Sequence, residues 1–163
     1  MFDGVTMKAL PQSGETLLVR TDFSDDTVWR RICAAVRGPD PELQGALGMF
    51  AAVNEAMGQS LGEFQTPICI VDDPEYKDFS TDRLVKLSAG TSHSILLVVD
   101  QTTISHPDHP VLVVDVGVEP GRTFRAVPSQ IFAIESNLSI ANMDWEDFSG
   151  CANDEGVFRG FPK

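Results

Sequence analysis

Cysteine, basic side chains and long apolar runs are all scarce in this sequence, and each shortage narrows what the chain can be. The three cysteines, Cys33, Cys69 and Cys151, lie far apart and form no CxxC pair. They indicate neither a disulfide framework nor a paired-cysteine zinc or redox site, and they fit a reducing compartment. Cys33 falls in an apolar helical stripe and Cys69 inside a strand pattern, where burial keeps a thiol protonated and inert. Only 12 lysines and arginines stand against 24 aspartates and glutamates, a net charge of -12. That balance repels a nucleic-acid backbone or an anionic membrane surface, and a basic protein partner is the better match. The same acidity also serves solubility. No stretch approaches the roughly 20 apolar residues of a membrane-spanning helix, and residues 1–15 lack the basic-then-apolar order of a signal peptide. A cytoplasmic protein is expected.

Also missing are the GxSxG, Walker, dinucleotide-binding and HExxH patterns. Those are the common signatures of catalysis and cofactor binding, so the sequence names no catalytic residue and calls for no cofactor. No internal repeat and no low-complexity segment is visible. At 163 residues the chain suits one domain, able to bury roughly two-thirds of the surface its unfolded form exposes.

What the chain does have is a set of apolar runs that close on aspartate: TLLVRTD at Asp22, ICIVDD at Asp72 and Asp73, ILLVVD at Asp100 and VLVVD at Asp115. Their length and β-branched content read as buried strands. Residues 1–15, with Gly4, Pro11 and Gly14, read as a flexible arm, and residues 16–163 as a single mixed α/β domain. Strands are expected at Thr16–Thr21, Ile68–Val71, Ile95–Val99, Val111–Val116 and Thr123–Val127.

Helices fall between them. Ser24 is placed as the cap of a helix with Asp25 and Asp26 in its first turn, Val28, Trp29, Ile32, Cys33 and Val36 along one face, and Gly38-Pro39 as its stop. Pro41 to Gly58 reads as a second helix weakened by Gly45 and Gly48, and Ser80 to Ser88 as a third. QTTISHPDHP is too short for a parallel crossover, so the third and fourth strands should run antiparallel. Val118 to Arg122 holds Pro120-Gly121, the type II turn signature, and leads into the fifth strand. Pro128-Ser129 opens a helix, Asp144 caps a short one, and Val157, Phe158 and Phe161 should pack back on the body. The expected architecture is a mixed five-stranded sheet, helix-connected strands followed by an antiparallel meander, with helices packed on it.

Two groups could carry chemistry. If the first three strands are parallel, Asp22, Asp72 or Asp73, and Asp100 emerge at one carboxyl edge, where open α/β sheets place ligands and where two or three carboxylates suffice for Mg²⁺. That would suit a hydrolase or phosphotransfer enzyme, with one aspartate as a nucleophile. The plainer reading is that these aspartates cap helices and build Asx turns. Asp115, on an antiparallel strand, belongs at the opposite edge. Aspartate-nucleophile phosphatases and response-regulator receivers share the order of strand and aspartate, but Ser24 stands where the phosphatase motif needs a second aspartate, and no lysine follows a late strand. The second group is a polar pocket of Asn137, Asn142 and Trp145, whose amides need bonding partners if they lie inside a helix. His106-Pro107-Asp108-His109 offers two imidazoles but lacks further metal ligands at a readable spacing.

The motifs TDFSDD at 21–26, HPVLVVDV at 109–116, EPGRTFR at 119–125, NLSIANMDWEDF at 137–148 and GVFRGF at 156–161 are specific. On them the chain resembles an uncharacterised actinobacterial domain family over nearly its whole length beyond the arm, with the 38–64 stretch standing apart as an insertion. The resemblance carries no assigned activity, so it implies no residue roles. A small acidic interaction or accessory module that binds a protein partner is the leading expectation. The Mg²⁺-dependent enzyme and a toxin-neutralising module are the alternatives. Oligomeric state is not legible.

Overall fold

The computed structural model describes residues 9–37, 67–138 and 143–161. Its centre is a six-stranded mixed sheet in the order β2-β1-β3-β4-β5-β6. The strands are β1 (Thr16–Arg20), β2 (Ile68–Val71), β3 (Ile95–Val99), β4 (Val111–Asp115), β5 (Thr123–Ala126) and β6 (Val157–Phe158). β1 runs parallel to both β2 and β3, β3–β4 and β4–β5 are antiparallel, and β5–β6 is parallel. The expected helix-connected strands followed by a meander are therefore present. The strand count is corrected from five to six, because Val157 and Phe158 do more than pack back: they add a short strand to β5.

Strand residues alternate between two cores, as a period-2 backbone requires. Leu18, Leu97, Val99, Val111, Val113, Phe124 and Ala126 face one side, with Trp29, Ile32, Val36, Ile131, Ile134 and Phe148 of the helices over them. Leu17, Val19, Leu96, Val98, Leu112 and Val114 face the other, beneath Leu10, Tyr76 and Leu84. Residue 10 of the arm is thus buried, and the Tyr76 hydroxyl donates to the Ala9 carbonyl at 2.8 Å.

Five α-helices occur among the described residues: α1 (Asp26–Arg37), α2 (Thr81–Ser88), α3 (Gln101–Ser105), α4 (Ile131–Leu138) and α5 (Trp145–Ser149). α1 carries the expected apolar face, but Asp25 caps it: the Asp25 carboxylate accepts the Val28 N–H at 3.0 Å. Ser24 instead donates its N–H to Asp22 Oδ1 at 2.9 Å, an Asx turn that leaves it one residue short of the helix. Ser80 caps α2, its hydroxyl accepting the Arg83 N–H. α3 was not expected. Asp100 starts it by accepting the Thr103 N–H at 3.1 Å while the Thr103 hydroxyl accepts the Asp100 N–H, a reciprocal cap inside QTTIS. Pro128–Gln130 forms a 3₁₀ turn before α4. The helix expected over Pro41–Gly58 lies outside the described residues.

Candidate functional site

The carboxyl edge of β1, β2 and β3 gathers aspartates, as the runs suggested, but an arginine sits among them. Arg20, the last residue of β1, is buried against α1. Its guanidinium donates to the Asp22 carbonyl at 3.1 Å, to Asp72 Oδ1 at 3.2 Å and to Asp26 Oδ1 at 2.6 Å. Phe23 and Trp29 hold the ring faces, 4.4 and 5.1 Å from the guanidinium carbon, and the Trp29 indole N–H donates to Asp72 Oδ2 at 3.1 Å. The Arg20 hydrogen bond and charge hold the Asp26 carboxyl below its usual range. Asp73 caps the 3₁₀ turn at Pro74–Tyr76 by accepting the Glu75 N–H.

Asp100 is engaged elsewhere. Both its oxygens take the Arg125 guanidinium, at 2.9 and 2.7 Å. Burial pushes this carboxyl up, but the bonds from Arg125 and the Thr103 N–H outweigh it and hold it below the usual range. The structure therefore groups Asp22 and Asp72 around Arg20 and places Asp73 and Asp100 in capping roles. Among the described residues no three His, Cys, Asp or Glu side chains are arranged to hold a metal ion. His106 and His109 also point to separate partners: a His106 ring nitrogen lies 3.5 Å from Glu155, and His109 Nδ1 is 3.0 Å from the Thr103 carbonyl.

The opposite edge holds a cleft of about 280 Å³. The register pairs Asp115, the last residue of β4, with Ile95, the first of β3, so this aspartate does lie at the far edge from Asp100. Its carboxylate is buried and accepts the N–H groups of Gly117, Val118 and Glu119 at 2.9, 3.0 and 3.0 Å, and the Arg122 Nε–H at 2.6 Å. Burial would raise this carboxyl, but those four bonds keep it below the usual range. The turn they fasten has Gly121 at φ +101°, the left-handed position of a type II turn, with the Arg122 N–H donating to the Glu119 carbonyl.

Arg122 crosses from that turn to α5. Its guanidinium carbon is 4.8 Å from the Trp145 ring, and Nη1 reaches Glu146 at 2.9 Å and Glu119 at 3.5 Å. Burial works against its charge, but the Asp115 carboxylate and the two glutamates raise its pKa. Ile95, Val118, Leu138, Met143 and Trp145 give the cleft apolar walls, and Asp115, Glu119, Asp144 and Glu146 give it four carboxylates to the one guanidinium. Val118 stands out from the turn, 82% exposed.

Of the pocket expected from the sequence, Trp145 lines this cleft, Asn137 donates its amide to the Ala133 carbonyl one helical turn back at 2.7 Å, and Asn142 lies outside the described residues. Sequence reading missed Arg20, Glu119, Arg122 and Glu146. Arg20 carried one signal, a lone cation inside an apolar strand. The others are brought together only by the fold, from a turn and a helix more than twenty residues apart.

Fold and cleft define a small acidic mixed α/β domain with helices on both sheet faces and an acidic, apolar-walled cleft at one sheet edge. The chain belongs to the domain family DUF6924, a domain of unknown function, whose family model matches residues 15–161. No curated protein matches the sequence. No helix among the described residues is long and apolar enough to cross a membrane.

Proposed function

We propose that this domain is a non-enzymatic interaction module, working in the cytoplasm, that takes a cationic side chain of a basic protein partner in the cleft between the 117–122 turn and α5. The observation that carries this reading is the occupancy of the cleft by its own Arg122. A guanidinium already stacks on Trp145 and bridges Asp115 and Glu146 there, and this one cation is shared among Asp115, Glu119 and Glu146. The Glu119 and Glu146 side chains are 70% and 73% exposed, so they can turn to an incoming cation. The net charge of -12 adds long-range attraction for such a partner.

Exposed ion pairs contribute up to about 1 kcal/mol each, and a cation over an aromatic face about 0.5–1 kcal/mol, so one seated side chain binds weakly. Affinity must therefore fall with salt. The three cysteines are free thiols, which supports a reducing compartment.

Calorimetric titration with the capped tripeptide acetyl-Leu-Arg-Leu-amide, at low and at physiological ionic strength, tests the reading. Saturable binding that weakens with salt, and drops about fivefold or more in Glu119→Gln/Glu146→Gln, supports it. Absence of saturable binding at low salt overturns it.

A further inference from the structure

The fold treats its two tryptophans differently. The Trp29 indole N–H donates to Asp72 Oδ2 at 3.1 Å, as a buried indole ordinarily does. Trp145 is nearly as enclosed, 7% exposed against 4% for Trp29, yet among the described residues no oxygen accepts its N–H. An indole nitrogen can only donate, so the group has no other way to pair.

Trp145 is held by its ring and its backbone. Phe124 meets the ring edge-on, with centroids 4.7 Å apart and planes at 72°, and the Arg122 guanidinium carbon lies 4.8 Å from the ring centre. The residue opens α5, whose first turn is pinned where the Asp144 N–H donates to Asp147 Oδ2 at 2.8 Å. A buried donor without an acceptor is costly, natural folds leave few, and each calls for a partner from outside the chain. This one belongs to a side chain that lines the cleft.

Arg122 adds a second donor there. Its Nε and Nη1 pair with Asp115, Glu146 and Glu119, and Nη2 has no partner among the described residues. The cleft thus holds carboxylates that suit a cation and, separately, N–H groups that lack an acceptor. With Asp115, Glu119, Asp144 and Glu146 in the lining, a second anion is repelled, so the matching acceptor is a neutral oxygen. A peptide brings both parts, a cationic side chain and a main-chain carbonyl with two lone pairs beside it.

We infer that the Trp145 indole N–H is a specificity-determining donor that takes a main-chain carbonyl of the partner segment whose cationic side chain enters the cleft. This inference rests on the cation-binding reading and adds a main-chain contact, which makes the occupant a peptide rather than a free organic cation.

The test follows the indole proton of the wild-type protein by NMR during titration with acetyl-Leu-Arg-Leu-amide and, in parallel, with n-butylguanidinium, a cation with no carbonyl. The peptide should move the Trp145 indole proton downfield and slow its exchange with solvent, and n-butylguanidinium should do neither. Replacing Trp145 with 3-benzothienylalanine keeps the bicyclic shape and puts sulfur where the N–H was. It should weaken peptide binding about two- to tenfold, the range of one net hydrogen bond, while the remaining binding stays salt-sensitive. If the peptide binds but leaves the indole proton unmoved, if n-butylguanidinium slows its exchange equally, or if the sulfur analogue binds as wild type does, the carbonyl contact is overturned and the cation seat stands. If the peptide does not bind at all, the cation-binding reading falls and this contact with it.

Discussion

On Asp115 three backbone N–H groups and the Arg122 guanidinium converge at one buried carboxylate. Asp115→Asn puts an amide where four donors point and leaves Arg122 half-paired, so it should cost about 2–4 kcal/mol in urea denaturation. A cost below about 1 kcal/mol would mean the turn is held by its backbone alone. Asp115 and Asp100 both titrate below the ordinary carboxylate range. Since the unfolded chain then binds more protons than the folded one, their stabilisation is in place above about pH 4 and is lost as pH falls through the lowered folded values. Urea midpoints measured down an acid series should fall there, less steeply in Asp115→Asn than in wild type, and equal slopes would contradict the assignment. Burial raises the Cys33 thiol to about 11, while Cys151 is exposed. Alkylation followed by mass spectrometry at neutral pH should therefore modify Cys151 well before Cys33. At this scale the sequence located the strand-end aspartates and their capping and Asx-turn bonds but not their arginine partners, because TLLVRTD reads as a strand whichever carboxylates its Arg20 is destined to reach.

The turn from Gly117 to Arg122 and the helix α5 are the elements that shape the cleft. Gly121 sits at φ +101°, a backbone conformation that costs a residue with a Cβ about 1–3 kcal/mol. Gly121→Ala should lower stability by that amount and weaken peptide binding, since it moves Val118, Glu119 and Arg122 together; unchanged binding would separate the turn from the site. β6 secures the other end of α5. Phe158 is fully buried, its ring 5.3 Å edge-to-face from Phe148, so Phe158→Ala should cost about 3–5 kcal/mol by thermal or urea unfolding. The five longer strands, the turn and the helices at 26–37 and 81–88 were legible because hydrophobic period and Pro-Gly chemistry act locally. β6 and α3 were not. A two-residue strand has no period to read, and five helical residues are fixed by the Asp100–Thr103 cap and the Arg125 pairing rather than by their own propensity.

Over the whole molecule, two sheet edges divide the charge between different tasks. At the carboxyl edge Arg20 pairs with Asp26 and Asp72, and Arg125 pairs with Asp100. At the opposite edge four carboxylates line the Trp145 cleft against Arg122. The composition announced a surplus of negative charge, and no local pattern said where it would be left unanswered. Its position depends on the antiparallel return of β4, which carries Asp115 away from Asp100, and on α5 closing over the turn. The most direct measurement is an amide and indole NMR titration of the wild-type protein with acetyl-Leu-Arg-Leu-amide at low salt. The account expects saturable shifts at the Trp145 indole N–H, Val118 and Glu119, with the Trp29 indole N–H beside Arg20 unmoved. Shifts centred on Trp29, Asp72 and Asp100, or none that saturate, would contradict it.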